Sequence, residues 1–389
     1  MRFFATCAKG TEGALRRELS QLRLHAVRGD RGGVHFEGEL VAAMKVCLHA
    51  RTAMRVLLPL ASFPAADPAA LYDGVRTVDW TAWLTTRTTL AVDASVRDSA
   101  ITHSGFAALK VKDAVVDVLR DKLGARPDVD AKDPDVRIVL HLAADAAELS
   151  LDLAGEPLHR RGYRAAMTPA PLKETLAAAV LALGGVDPAE PFYDPMCGSG
   201  TLAIEHALRA RRIAPGLGRA FAFQRWPAYR GAIQSEWDRL REAARGERLP
   251  RAPAPIFARD LSGKALDAAR KNAEVAGVLG DIRFEKGDAR EIEPAAGLGA
   301  GALCTNPPYG ERLGGAEPGE DRRAAHTARL KLEGLYRGFA EAIARFHGWS
   351  AVFLSGNAAL ERAIPFRPEI THRLWNGPIE ARMVKFRVP

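Results

Sequence analysis

The chain has 389 residues, of which 47% are hydrophobic, and a net charge of +8 at pH 7. That length exceeds one ordinary domain and supports two or three. No run of about 18 uncharged apolar residues marks a membrane span, and the start lacks an apolar signal core and cleavage site, so a cytoplasmic protein is expected. The four cysteines are scattered without a C-x-x-C pair, which argues against a disulfide framework or zinc site, and no metal is expected. Positive charge favours a polyanionic partner, nucleic acid first. Abundant arginine, alanine, glycine and proline are also what a GC-rich genome produces, so charge alone does not establish that partner.

Three regions follow in chain order. In residues 1–64, Leu15, Leu19 and Leu22 share one face of a helix starting at Thr11. Val34 and Phe36 alternate with polar residues in a strand, and a second helix covers residues 40–53. The second region, 65–155, has an alternating strand through Leu90, Val92, Ala94 and Val96. A helix over 105–123 then turns Val111, Val115 and Val118 inward and leaves Lys110, Lys112 and Arg120 to solvent. Strands at 136–142 and 149–153 complete a compact α/β module. Pro/Ala-rich stretches at 63–68 and 249–255 read as surface connections. A basic tract within 156–168 holds Arg160, Arg161, Tyr163 and Arg164. Those residues could hold phosphates and stack a base, or could be a solvated linker.

Residues 169–389 alternate strands and helices: a helix at 173–183, a strand into Asp194, strands at 256–260 and 282–284, a buried strand at 302–305, and a strand at 351–355. The pattern predicts a doubly wound sheet with ligands at the carboxyl ends of its strands. Residues 210–253 form an insertion that interleaves arginines with Trp226 and Tyr229. It reads equally as an RNA surface or as an ordinary helical excursion.

Two motifs carry chemistry. Asp194, Pro195, Met196, Cys197, Gly198, Ser199, Gly200 and Thr201 form a glycine turn between a strand and a helix. The turn lacks the G-K-[ST] ending of a phosphate loop and the third glycine of the dinucleotide fingerprint. An acid at its start suits an amino-bearing ligand without phosphate, and S-adenosylmethionine fits. Asp260, ending the next strand, is the candidate ribose ligand, and Asp288 with Ala289 would lie at the adenine edge. Cys197 and Cys304 are weak nucleophile candidates, having no His–acid pairing nearby.

The second motif, Asn306, Pro307, Pro308 and Tyr309, follows a buried strand. An exocyclic amine on a base is a poor nucleophile because its lone pair is delocalised into the ring. The Asn306 amide oxygen and the Pro307 carbonyl can accept its two N–H bonds and aim the nitrogen. Consecutive prolines fix those acceptors, Asn306 also borders the cofactor, and Tyr309 is suited to stack on a flipped-out base.

Together these motifs resemble those of the class I amino-methyltransferases. With residues 158–164, 171–178 and 306–313 added, the chain closely resembles the bacterial large-subunit (23S) ribosomal RNA guanine-N2 methyltransferases. Residues 31–36 and 44–60 resemble the N-terminal unit of that family, and residues 109–117 resemble the helix of its THUMP domain. The resemblance implies a ferredoxin-like α/β unit at 1–64, a THUMP RNA-binding domain at 65–155, a basic linker at 156–168 and a Rossmann-like class I methyltransferase domain at 169–389. It implies S-adenosylmethionine as cofactor and RNA as partner; the second methyltransferase fused to this enzyme in some bacteria is not expected here, nor is an obligate protein partner. Lys110, Lys112, Arg160, Arg161, Tyr163 and Arg164 are its expected RNA contacts. A transfer RNA guanine-N2 methyltransferase would share the same parts. An adenine-N6 or protein-glutamine methyltransferase is opposed by the THUMP-like front end. A non-catalytic RNA-binding assembly factor is opposed by the intact Asp194, Asp260 and Asn306 motifs.

Overall fold

Two seven-stranded sheets organise the chain, which the computed structural model describes over residues 1–166, 172–309 and 322–389. The boundary at 169, Pro171 of the resemblance, and Gly310, Glu311, Arg312 and Leu313 lie outside the described residues.

The first unit comprises Met1–Cys7, Leu15–Leu158 and Gly216–Ala244. Its strands are β1 (Arg2–Thr6), β2 (His25–Asp30), β3 (Gly33–Glu37), β4 (Arg55–Pro64), β5 (Leu90–Arg97), β6 (Val136–Ala143) and β7 (Ala146–Asp152). They lie in the order β2-β3-β1-β4-β7-β6-β5. β4 pairs antiparallel with β1 on one side and with β7 on the other, so the two expected N-terminal modules share a continuous sheet. Buried Val56, Leu57 and Leu58 occur consecutively along β4, because a strand at the centre of a sheet is covered on both faces. The helices are α1 (Glu12–Gln21), α2 (Leu40–His49), α3 (Pro68–Arg76) and α4 (Ser104–Leu123). The stretch 63–68, expected as a surface connection, instead contains the end of β4 and the start of α3. Asp67 caps α3 by accepting from the Ala69 and Ala70 amides, with Pro68 supplying the preset φ of a first helical turn.

The insertion at 210–253 divides. Gly216–Ala244 belongs to the first unit rather than to the catalytic region in which the sequence placed it. Trp226, Trp237, Phe221 and Phe223 are buried, and Trp237 meets Phe223 edge-on at 5.0 Å. Arg225 makes two 2.9 Å bonds to Asp133 and an ion pair to Asp135. These aromatics are packing groups, and buried rings offer no stacking face to a base. The segment carries most of α7 (Ala232–Gly246).

The second unit comprises Ala8–Ala14, His159–Pro215 and Arg245–Pro389. Its strands are β8 (Phe192–Asp194), β9 (Ile256–Asp260), β10 (Ile282–Lys286), β11 (Ala302–Thr305), β12 (Ser350–Ser355), β13 (Pro368–Asn376) and β14 (Ile379–Arg387), ordered β10-β9-β8-β11-β12-β14-β13. The first five are parallel, and β14 and β13 add antiparallel. Helices α5 (Glu174–Leu183), α6 (Thr201–Ala210), α8 (Gly263–Val275), α9 (Arg322–Ile343) and α10 (Ala358–Ala363) complete it. Strand order reverses at β8, whose neighbours are β9 and β11. That switch point opens a crevice at the strands' carboxyl ends.

Candidate active site

Both sequence motifs leave adjacent strands at this switch point. β8 delivers Asp194 and the glycine turn, while β11, in register with β8 through Ala302–Phe192 and Leu303–Tyr193, delivers Asn306. Gly200 caps α6 at φ 84°, and a Cβ there would stand 3.0 Å from the Cβ of Ala269 on α8. Only glycine permits both that conformation and that approach.

Asp194 is buried, and desolvation pushes its carboxyl up to about 7 against the opposing effects of Thr305 and the Met196 N–H. Asp260 sits at the end of β9. One of its oxygens accepts from the Gly198 N–H at 2.8 Å and the other from the Ser262 N–H at 2.8 Å. It therefore ties the glycine turn to the next strand. Leu261, unmarked in the sequence reading, follows it and is 68% exposed. An apolar side chain left in solvent beside that acid is a ready surface for a flat ring. Asp288 accepts from the Arg290 backbone N–H at 2.9 Å and from Arg290 Nη2 at 2.6 Å, and the guanidinium holds its carboxyl below the usual range. Ala289 beside it is buried.

In the second motif the Tyr309 hydroxyl donates to Asn306 Oδ1 at 2.5 Å. The acceptor expected to receive a base amine is thus capped by the side chain expected to stack on that base. Burial pushes the Tyr309 hydroxyl well above its usual range, keeping it a neutral donor. Three residues absent from the sequence reading shape this loop. Tyr336 on α9 donates to the Pro308 carbonyl at 2.5 Å, and Asn357 Nδ2 donates to the Tyr309 carbonyl at 3.2 Å. Gly356 lies against the Tyr309 ring, where a Cβ would come within 2.9 Å of it. The only sequence signal was the position of Gly356 and Asn357 directly after the strand ending at Ser355.

Cys197 and Cys304 are buried, and desolvation raises both thiols well above the ordinary value. Neither is a poised nucleophile.

The basic tract differs from expectation. Arg161 and Tyr163 are buried. The Tyr163 hydroxyl donates to Glu205 Oε1 at 3.1 Å, and Arg161 Nε lies 3.5 Å from the same oxygen. Arg164 Nε donates to Glu174 at 3.0 Å. These three turn inward because buried carboxylates on α5 and α6 require cationic or donor partners. They are corrected from RNA contacts to internal ones, whereas Arg160 is exposed. In the first unit, Lys110 stands 5.8 Å from the Phe106 ring centroid, and Lys112 pairs with Asp113 at 2.8 Å.

Among the described residues no group of three or more His, Cys, Asp or Glu side chains could hold a metal. No described helix is long and apolar enough to cross a membrane.

A parallel sheet with this strand order, a glycine turn after its first strand, an acid ending the second and the Asn306 motif after the fourth define a Rossmann-like class I methyltransferase. The match to the RMKL-like methyltransferase domain spans residues 161–385, that to the THUMP domain residues 65–152, and that to the RlmL ferredoxin-like domain residues 2–57. The ribosomal RNA large subunit methyltransferase K/L of Syntrophotalea carbinolica is 43% identical, over 100% of this chain and 54% of that protein. The chain spans about half the length of the first curated relatives it matches. slr0064 of Synechocystis sp. is 35% identical, over 99% of this chain and 96% of that protein. The crystal structure of SMU.472 complexed with SAH superposes with a TM-score of 0.87 at 28% identity, covering 100% of this chain and 98% of that one. The chain belongs to the RMKL-like methyltransferase family, whose cofactor is S-adenosylmethionine.

The chain's own residues fit that cofactor. The turn leaves open space at Gly198, where a Cβ would meet nothing within 4 Å, two acids stand at consecutive strand ends, and an apolar side chain is exposed beside one of them.

Proposed function

We propose that this chain methylates the exocyclic N2 amine of a guanine in large-subunit (23S) ribosomal RNA. The observation that carries the reading is Asn306 at the end of β11, one strand away from the cofactor turn, its Oδ1 accepting from the Tyr309 hydroxyl. S-adenosylmethionine, when bound, supplies an electrophilic methyl group on a sulfonium. Asp194, the turn from Pro195 to Thr201, Asp260, Asp288 and Ala289 are the residues that would hold it, with Leu261 available to the adenine ring.

Asn306 and the Pro307 carbonyl accept the two amine N–H bonds and point the nitrogen's lone pair outward. As the base enters, the Tyr309 hydroxyl gives up Asn306 Oδ1 and its ring becomes a stacking face. Tyr336 and Asn357 hold the Pro308 and Tyr309 carbonyls, so the acceptors keep their places while that side chain moves. The amine proton leaves for solvent after transfer, so no strong base is needed. Lys110, Lys112 and Arg160 are the side chains proposed to meet RNA phosphates.

The naming of relatives for large-subunit ribosomal RNA and the match to their ferredoxin-like domain favour ribosomal over transfer RNA. The test is transfer of tritiated methyl to unmodified large-subunit ribosomal RNA and to bulk transfer RNA in parallel, followed by nucleoside analysis. N2-methylguanosine in the ribosomal RNA is expected. The same product in transfer RNA alone would move the substrate assignment, and N6-methyladenosine would overturn the reading.

A further inference from the structure

The tract that turned inward has a destination. From Arg161 to Ala166 it runs beside the cofactor turn and is bonded to elements on either side of it. Arg164 Nη2 donates to the Leu172 carbonyl at 2.9 Å and reaches Thr201 Oγ1, in the first turn of α6, at 3.4 Å. At the far end stands Asn272 of α8, 1% exposed. Its Oδ1 accepts from the Ala166 N–H at 3.0 Å, and its Nδ2 donates to the Ala166 carbonyl and to the Ser199 carbonyl, each at 3.1 Å. Reversing the amide would set oxygen against two carbonyls and NH₂ against an N–H, so these partners fix its orientation.

Ser199 lies between the two glycines of the turn. Two bonds tie that turn to β9, Gly198 N–H to Asp260 and Cys197 N–H to the Arg259 carbonyl at 2.9 Å, and one closes it on itself, Gly200 N–H to the Cys197 carbonyl at 2.8 Å. β9 therefore fixes the turn from one side. Asn272 holds the carbonyl end of the Ser199–Gly200 peptide, whose N–H is taken inside the turn. A glycine-rich turn has little intrinsic preference for one peptide orientation, so the internal Gly200 bond and the bond from Asn272 together set where this peptide points. Asn272 supplies that bond without facing the ligand.

We propose that Asn272 is a positioning residue for S-adenosylmethionine binding, and that Arg164 with the tract leading to Ala166 belongs to the same brace. The inference rests on the cofactor and is independent of which amine or which RNA is the substrate. The brace assigns a cofactor role to residues whose composition pointed to RNA.

The test uses the full chain and measures S-adenosylhomocysteine affinity by calorimetry, RNA affinity against salt, and the thermal midpoint without ligand. Asn272→Ala strands the Ser199 and Ala166 groups, and is expected to weaken S-adenosylhomocysteine about tenfold or more. RNA affinity and its salt slope should stay unchanged, and the loss should persist well below the thermal midpoint. Asn272→Asp, which keeps size and one acceptor but removes both donors, is expected to lose comparable affinity. Unchanged S-adenosylhomocysteine affinity in either variant would overturn the proposal, as would a deficit that vanishes on cooling. Should neither variant fold, Arg164→Gln decides: weaker cofactor with unchanged RNA salt slope supports the brace, and a reduced slope with normal cofactor affinity refutes it.

Discussion

Both units are built on a seven-stranded sheet, and they bury polarity in different places. Among the described residues, the first unit buries Thr52, Ser150 and Asp152. Thr52 is bonded to Glu18, and Asp152 is paired with Arg55, which also donates to the Gly155 carbonyl at 3.2 Å. Two of its three buried polar groups thus fasten the chain around β4. The second unit buries Arg161, Glu174, Asp194, Ser199, Thr201, Glu205, His206, Asn272 and Thr305, among others, mostly near the carboxyl ends of β8 and β11 or on helices lining them. Buried polar groups are costly unless satisfied. One unit bears that cost to join two modules, and the other to hold a reactive crevice in shape.

The contrast can be tested by removing one fastening from each unit. Arg55→Met leaves Asp152 buried without its cation and should destabilise the first unit by about 3–5 kcal/mol. Urea unfolding followed by the first unit's tryptophans would read this, with S-adenosylhomocysteine binding intact at low temperature. Loss of cofactor binding in the still-folded variant would mean that the division of labour is wrong. Asn306→Ala should do the reverse, lowering turnover on the order of 10²–10³-fold with S-adenosylhomocysteine affinity and urea midpoint nearly unchanged. Calorimetry beside single-turnover methyl transfer would separate the two effects.

The second unit should also carry a pH signature. Asp194 is raised from 3.8 to about 7, so the folded chain keeps a proton that the unfolded chain releases, and stability falls as pH rises through that window. His206, stacked on Phe192 at 4.1 Å, is lowered from 6.5 to about 3, so its contribution is lost as pH falls from 6.5 towards 3. Asp194→Asn should therefore become more stable relative to the native chain as pH rises from 4 to 7. The gain should be on the order of a few kcal/mol, and a pH-independent difference would contradict the burial argument. The smallest effect belongs to the first unit's surface: Lys110→Gln with Lys112→Gln should lower the RNA-binding salt slope by about 1–2. An unaltered slope would remove α4 from the RNA footprint.

The catalytic half was legible where chemistry is local. β9 and β11 occupy the bounds that alternation and flanking turns predicted, because a parallel strand followed by a glycine or proline turn writes both into contiguous residues. The basic tract was misread because Glu205, which draws Arg161 and Tyr163 inward, lies about forty residues away on α6. Composition has no view of a partner at that range. Trp226 misled for the same reason, since it packs edge-on against Trp83 of the THUMP region. Asn272 sits in an unremarkable helix, and only the path of the Ser199 carbonyl exposes its role.

The sharing of β4 has a practical side. A strand hydrogen-bonded to both neighbours makes the ferredoxin-like and THUMP parts inseparable as cassettes. A fragment beginning at residue 65 would present β7 with a bare row of amide and carbonyl groups from Ala146 to Asp152, inviting intermolecular strand addition. An RNA engaged by the THUMP part would bring the ferredoxin-like part to it through the same sheet. Spacing along the RNA would then be measured by seven strands rather than by the length of a linker.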